Sequence, residues 1–137
     1  MSGERFVLDT SALFAFMTGE EGAAAVESIL YSKSKFLFIP WPVLFEIYYV
    51  TKRTRGEKEA DRRFVLIKEL PASILWQMEE SDVLTAARFK AQFRISFADS
   101  LIAAAAFRQN AILVHKDTEY DSLAEVIRLR SLLSRSR

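Results

Sequence analysis

Short runs of apolar residues alternate with helical patterns along the whole chain, and this alternation limits the possible folds. The runs "RFVLD", "KFLFIP", "ASILWQ" and "AILVHKD" are candidate strands, and "AEVIRLR" is a candidate short fifth strand. These runs are apolar throughout rather than at every second position, which is typical of parallel strands covered on both faces. We therefore predict an α/β domain of three layers with a central parallel sheet of four to five strands.

The segments between the strands carry helix start and stop signals. The expected helices span residues 11–17, 19–33, 42–55, 57–70, 82–94 and 96–110. Thr18 is a candidate cap to Glu21 at the second helix, and Ser81 is a candidate cap of the fifth. Gly56 is expected to end the third helix.

The length and composition indicate one folded domain. The chain has 137 residues and 50% hydrophobic content, which is enough for a substantial core. We place the domain at residues 1–130 and expect residues 131–137 to form a basic, flexible tail. No apolar stretch is long enough to span a bilayer, and the start has no signal-peptide pattern, so we expect a cytoplasmic protein without membrane contact.

The residue types that are missing exclude several kinds of site. There are no cysteines and only one histidine, His115, so thiolate zinc sites, cysteine nucleophiles and multi-histidine metal sites are ruled out. Any metal must be held by oxygen ligands, which points to Mg²⁺ or Mn²⁺.

Four acidic residues fall where the predicted strands end. Asp9 ends the first strand, and two residues separate Asp117 from "AILV". Glu46 lies in the first turns of the helix after the second strand, and Asp99 lies in the first turn of the helix before the fourth. Because ligands bind outside the carboxyl ends of parallel strands, these acids are expected to converge.

Each acid also has a structural interpretation. Asp9 is a candidate helix cap, Asp117 is a candidate turn or cap residue, and "SFAD" matches a capping box that would explain Asp99. Glu46 differs, because its neighbours are apolar nearly all round the helix and a buried glutamate needs a partner.

Electrostatics favours a cation at this cluster. Two carboxylates ~4 Å apart repel by ~1 kcal/mol in water and by ~4 kcal/mol at an effective dielectric constant of ~20. The local motifs place no arginine or lysine against each acid. A divalent cation such as Mg²⁺ removes the repulsion.

The motifs "VLDTSALFAF", "FEIYYV", "ISFADSLIAAAA" and "LVHKDTEYD", in this order, resemble the PIN-domain nucleases, and specifically the VapC-like toxins of prokaryotic type II toxin–antitoxin (VapBC) pairs. The resemblance covers nearly the whole chain. It implies a PIN-like fold and a Mg²⁺-dependent endoribonuclease, with Mn²⁺ as a possible substitute ion. "HKD" departs from the small, glycine-containing sequence expected before Asp117.

The resemblance assigns roles to individual residues. Its acidic site corresponds to Asp9, Glu46, Asp99 and Asp117, as metal ligands and catalytic groups. Metal-assisted hydrolysis of a phosphodiester is implied, with Asp99 or Asp117 as the general base. The residues expected to orient the ligands are Ser11, Thr10 and Asp121, although Asp121 also has a structural interpretation as a helix or turn acid.

RNA as a substrate requires cations near the acidic site. The candidates are Lys116, Lys52, Arg53, Arg88, Lys90 and Arg94, with solvated helix faces as the alternative interpretation. The resemblance further implies a cognate antitoxin and a homodimer. Large apolar residues near the first helix, Phe14, Phe16 and Met17, and Tyr48 and Tyr49 on the third, are either core or the lining of a groove for a partner.

Three other functions compete with this reading. One is a catalytically inactive PIN domain that binds RNA or protein without cutting. A second is an acid-pocket phosphatase of the haloacid dehalogenase type, but the second aspartate expected two residues after Asp9 is Ser11. A third is a response-regulator receiver, whose acidic pair near the first strand is missing.

Overall fold

Five parallel strands form a single central sheet. The computed structural model describes residues 3–133. The strands are β1 (Glu4–Leu8), β2 (Lys35–Pro40), β3 (Ser73–Leu75), β4 (Ile112–His115) and β5 (Leu129–Ser131). They lie in the order β3-β2-β1-β4-β5, and every neighbouring pair is parallel. The predicted α/β class and strand number are confirmed.

Helices connect the strands and cover the sheet. Those in the described part of the chain are α1 (Thr10–Thr18), α2 (Ala23–Leu30), α3 (Trp41–Arg55), α4 (Glu57–Lys68), α5 (Glu80–Gln92) and α6 (Phe97–Arg108), with a 3₁₀ helix at Thr118–Leu123. The consecutive residues Phe6, Val7 and Leu8 of β1 are all buried. Since successive side chains of a strand point to opposite faces, both faces of the sheet are covered.

The strand order reverses beside β1. From β1 the chain goes to β2 on one side, and β4 lies on the other side. The carboxyl ends of β1 and β4 therefore border the switch point, where open α/β sheets bind ligands. The backbone N–H of Asp9 donates to the Val114 carbonyl at 3.1 Å, so the two strand ends are tied together.

Two predicted helix caps are wrong. Thr18 ends α1, and its hydroxyl donates to the Phe14 carbonyl at 2.7 Å instead of capping α2. Gly19 and Gly22 both have positive φ and break the chain between these helices, so α2 begins only at Ala23.

Helix α5 begins earlier than the predicted Ser81 cap. Glu79 is its N-cap, and Glu79 and Asp82 form a reciprocal capping box, with the Glu79 N–H 2.8 Å from Asp82 Oδ2. The box satisfies two backbone donors, whereas Ser81 would satisfy one, so Ser81 lies inside the helix.

The carboxyl-terminal part of the chain joins the sheet later than expected. Segment 124–130 was the candidate last strand, but a 3₁₀ helix precedes it and β5 begins at Leu129. Ser131 belongs to β5, and Leu132 is buried with its N–H donating to the His115 carbonyl at 2.8 Å. The expected tail at 131–137 thus begins inside the sheet region, and its residues 134–137 lie outside the described residues. No helix in the described part of the chain has the length and apolarity to cross a membrane.

Candidate metal centre

Asp9 is a buried carboxylate at the end of β1. It is the N-cap of α1, and its Oδ1 accepts the N–H of Ala12 at 2.7 Å, so the capping interpretation is correct as far as it goes. The residue is only 2% exposed. Burial raises its pKa to about 7, and the charges of Asp99 and Asp117 raise it further, against the bonds from Ala12 and Ser11. A cap alone does not require a buried acid, since serine or asparagine caps equally well.

Ser11 connects the ends of β1 and β4. Its hydroxyl lies 2.8 Å from both carboxylate oxygens of Asp9. The same oxygen accepts the backbone N–H of Lys116, which follows β4, at 2.8 Å. This is the geometry that the predicted orienting role of Ser11 requires.

Glu46 is hydrogen-bonded to Thr10, the first residue of α1. The Thr10 hydroxyl donates to Glu46 Oε1, which joins the start of α1 to the second turn of α3. Glu46 is half-buried. Its charge is one of the influences that raise the pKa of Asp99, so the structure brings these two acids to the same site.

Asp99 lies in the first turn of α6, with separate roles for its backbone and side chain. Its N–H donates to the Ser96 hydroxyl at 3.1 Å, and Ser96 is the N-cap, as the sequence predicted. Its carboxylate instead accepts the Tyr120 hydroxyl at 2.9 Å. Burial, followed by the charges of Asp117, Glu46 and Glu119, raises its pKa to about 6, and the tyrosine bond opposes this rise.

Asp117 lies beside Asp99 and beside an acid that the sequence analysis did not select. One carboxylate oxygen each of Asp99, Asp117 and Glu119 lie within 4.8 Å of one another. Asp117 caps the 3₁₀ helix, and its Oδ1 accepts the Glu119 N–H at 2.9 Å. Asp9 and Glu46 do not belong to this group of three acids. They are still close enough to interact with it, since the charge of Glu46 raises the pKa of Asp99, and the charges of Asp99 and Asp117 raise the pKa of Asp9.

Asp121 is exposed and does not join this group of acids. Asp121 lies four residues after Asp117 and was the acid expected to assist it. Glu119 is instead held beside Asp117, because its N–H donates to Asp117 Oδ1 at the start of the 3₁₀ helix. The acid two positions after Asp117 was the available signal for Glu119.

Tyr120 and His115 form the buried floor behind Asp99 and Asp117, and sequence reasoning selected neither. Tyr120 is fully buried, and its ring centroid lies 5.1 Å from that of His115. His115 Nδ1 accepts the Asp117 N–H at 3.2 Å, and burial lowers the pKa of the imidazole. The histidine is thus neutral at pH 7 and supports the backbone of Asp117.

The donor set suits a hard divalent cation. Every side-chain donor in the cluster is a carboxylate or hydroxyl oxygen. None of the ion pairs that residues 3–133 form includes Asp9, Glu46, Asp99 or Asp117. Carboxylates brought together without a lysine or arginine partner match the ligand preference of Mg²⁺ and Mn²⁺.

The predicted basic residues are mostly engaged elsewhere. Lys116 follows β4 beside Asp117, but its ammonium lies 3.5 Å from Glu20, and its side chain is 18% exposed. The remaining candidates have these surroundings: Lys52 pairs with Glu57, Arg53 lies over the Tyr49 ring, Arg88 reaches Thr85, Lys90 donates to the Ile95 carbonyl, and Arg94 is exposed.

Two grooves with aromatic lining lie beside α1 and α3. Phe14, Phe16 and Met17 of α1 all pack against the core. Phe16 and Met17 also line a groove of about 420 Å³, whose other lining residues are Tyr31, Arg62, Leu66, Glu69 and Leu70. Tyr48 and Tyr49 line another of about 610 Å³ with Phe45, which is 61% exposed. The two interpretations of these residues therefore overlap, since Phe16 and Met17 both pack on the core and line a groove.

Comparisons with known proteins give one family and one fold. The family model of the PIN domain matches residues 6–126. No curated protein sequence matches the chain at a significant level.

Solved structures agree on the fold. One is VapBC2 from Rickettsia felis, solved with a DNA fragment from its promoter. It has a TM-score of 0.75 and 16% sequence identity, and the match covers 93% of this chain and 98% of that one. VapBC-1 from nontypeable Haemophilus influenzae has a TM-score of 0.74 at 17% identity, with the same coverages. VapC20 from Mycobacterium tuberculosis, a sarcin-ricin loop cleaving toxin, has a TM-score of 0.69 at 15% identity, covering 91% and 98%.

Proposed function

The chain belongs to the PIN-domain family, and on this premise we propose that it is a divalent-cation-dependent endoribonuclease of the VapC toxin type. One observation carries the proposal. Acids from four separated segments converge at the switch point of the sheet without a basic partner among the described residues. A fold alone would not justify an activity, but an acidic site at this position does.

Asp99 and Asp117 are the central cation ligands in this proposal. Glu119 extends the pair, because its carboxylate lies within 4.8 Å of both. Asp9 and Glu46 complete the negative charge of the site, held by the Ser11 and Thr10 hydroxyls. Mg²⁺ is the expected ion, and Mn²⁺ is expected to replace it.

Hydrolysis of a phosphodiester would depend on a cation and on the acids that hold it. The cation would neutralise charge at the phosphate and make a water molecule more acidic. Asp99 or Asp117 accepts the proton that this water loses. The neutral His115 has its Nδ1 engaged by the Asp117 N–H, so we assign it no proton transfer.

RNA is the proposed substrate. VapC20, a relative in fold, is named as a toxin that cleaves the sarcin-ricin loop. Lys116 is the basic residue next to Asp117 in sequence, and release of its ammonium from Glu20 would make it available to a phosphate. Lys52, Arg53, Arg88, Lys90 and Arg94 are proposed as more distant phosphate contacts.

A protein inhibitor and a second copy of the chain complete the proposal. Relatives in fold are VapBC proteins, which supports a cognate antitoxin for this chain in a cytoplasmic toxin–antitoxin system. The groove lined by Phe16 and Met17 is the site that we assign to an antitoxin segment. We also propose a homodimer.

Cleavage of total RNA in Mg²⁺ by the purified chain tests the function. Asp99→Asn should abolish cleavage, and so should EDTA with wild type. Asp61→Asn is the matched control, because Asp61 accepts the Tyr48 hydroxyl on the α3–α4 surface, outside the acidic site. If wild type binds RNA without cleaving it, and neither Asp99→Asn nor EDTA changes that binding, the chain is better described as an inactive RNA-binding module.

A further inference from the structure

The Tyr120 hydroxyl is buried against an acid of the site. The residue is 0% exposed, and its hydroxyl donates to Asp99 Oδ1 at 2.9 Å. Tyr120 lies in the 3₁₀ helix after β4, whereas Asp99 lies in the first turn of α6, so the bond joins two elements through residues that are 21 positions apart.

The hydroxyl is not needed to fill space. A phenylalanine would occupy nearly the same volume and keep the ring contact with His115. Burying a hydroxyl is unfavourable unless it finds a hydrogen-bond partner, and among the described residues that partner is Asp99. The oxygen atom therefore serves the carboxylate rather than the core.

The same arrangement occurs at two other acids of the cluster. The Ser11 hydroxyl donates to Asp9, and the Thr10 hydroxyl donates to Glu46. Three of the four predicted acids thus each receive a hydroxyl, and the tyrosine is the contribution from the distant 3₁₀ helix. At Asp9 the serine contacts both carboxylate oxygens, whereas the tyrosine contacts only Oδ1 of Asp99. Because a carboxylate has two oxygens, the bond to Oδ1 orients the Asp99 group while Oδ2 stays available to a cation.

We propose that Tyr120 is a positioning residue, whose hydroxyl orients the Asp99 carboxylate for a divalent cation shared with Asp117 and Glu119. This inference rests on the proposed function, since it gives a role within the same acidic site. Removing a partner of this kind lowers metal affinity or activity by about 10- to 100-fold.

Cation binding to Tyr120→Phe tests the proposal. Calorimetric titration with MnCl₂ and MgCl₂ should give affinities about 10- to 100-fold weaker than those of wild type. CaCl₂ binding should weaken less, because Ca²⁺ accepts irregular oxygen geometry and Mg²⁺ does not. Tyr48→Phe is the control, because it removes a 2.7 Å hydroxyl–carboxylate bond to Asp61 outside the site. It should bind all three ions like wild type.

The outcomes separate this proposal from the proposed function. If wild type binds Mn²⁺ and Asp99→Asn does not, but Tyr120→Phe binds within twofold of wild type, the role of Tyr120 is refuted and the metal site stands. Equal losses for all three ions, or a Tyr120→Phe protein that is unfolded by circular dichroism in EDTA, would mean that the hydroxyl serves the fold. Absence of any cation binding by wild type would overturn both.

Discussion

The Ser11 hydroxyl lies 2.8 Å from each carboxylate oxygen of Asp9. The two residues are neighbours on the first turn of α1, and the serine also accepts the Lys116 N–H from the end of β4. A single hydroxyl therefore couples the orientation of a buried acid to the pairing of two strand ends.

Ser11→Ala should lower the affinity for Mn²⁺ while leaving the protein folded. The variant loses a bond that lowers the pKa of Asp9 and leaves the Lys116 N–H without this acceptor. We expect a loss of ~1–3 kcal/mol in the free energy of unfolding, measured by urea denaturation. Mn²⁺ affinity should fall at pH 7 and partly recover at pH 8.5, because the Asp9 pKa has risen. Ser100→Ala, which removes a buried hydroxyl bonded within α6, should leave Mn²⁺ affinity unchanged.

Metal-free stability should decrease as the pH rises from 4 to 8. The pKa of the Asp9 carboxyl is about 7 in the folded protein and 3.8 in an unfolded chain. Between these values the folded protein keeps the carboxyl proton and the unfolded chain loses it. The stabilising contribution is thus complete below pH 4 and is lost as the pH passes 7. For this buried group the change is up to about 4 kcal/mol. Asp99, with a pKa of about 6, acts in the same direction.

Asp9→Asn isolates the contribution of that residue, because asparagine is also a good N-cap. The difference in unfolding free energy between wild type and variant, measured in EDTA at pH 4, 6 and 8, should change in favour of the variant as the pH rises. A difference independent of pH would contradict the raised pKa of Asp9.

Divalent cations should stabilise the wild-type chain. Mg²⁺ or Mn²⁺ at ~100 times its dissociation constant adds ~2.7 kcal/mol, which is roughly 10 °C in Tm for a domain of this size. Thermal melts in EDTA and then in each metal measure this rise. It should be absent in Asp99→Asn and present in Asp61→Asn. No rise in wild type would show that the acids do not form a cation site in the free protein.

Asp99→Asn and Glu46→Gln should lose activity while keeping or gaining metal-free stability. Each removes one charge from a group of acids that repel one another, as the effect of Glu46 on the Asp99 pKa indicates. RNA cleavage in Mg²⁺ and melts in EDTA give the two readings. A large loss of stability in both variants would assign these residues to the fold and not to a site.

Lys116→Ala should weaken RNA binding with a reduced dependence on salt. Removal of one phosphate contact lowers the slope of log affinity against log salt by ~1. Fluorescence anisotropy with the catalytically inactive Asp99→Asn background measures binding without cleavage. Lys58→Ala, an exposed lysine on α4, is the control and should leave the slope unchanged. An equal slope for Lys116→Ala would place this lysine with Glu20 as a structural pair.

Local patterns were sufficient for much of the fold. The run "KFLFIP" is β2 over Lys35–Pro40 as predicted, and Gly56 ends α3 in a positive-φ conformation. These features depend on apolar runs and on backbone freedom at one residue, which can be read from a few neighbours. The caps at Thr18 and Ser81 were wrong because competing signals, two glycines and a Glu79–Asp82 pair, acted within four residues.

The sequence by itself determined the parallel α/β architecture and the positions of Asp9, Glu46, Asp99 and Asp117 near strand ends, because both follow from periodicity along the chain. Only the tertiary structure decided which side chains from the segment after β4 meet these acids. The Tyr120–Asp99 bond and the position of Glu119 near Asp99 depend on how the 3₁₀ helix after β4 meets the first turn of α6. Such contacts join elements that are distant in sequence, and no local pattern specifies the direction of a buried side chain across them.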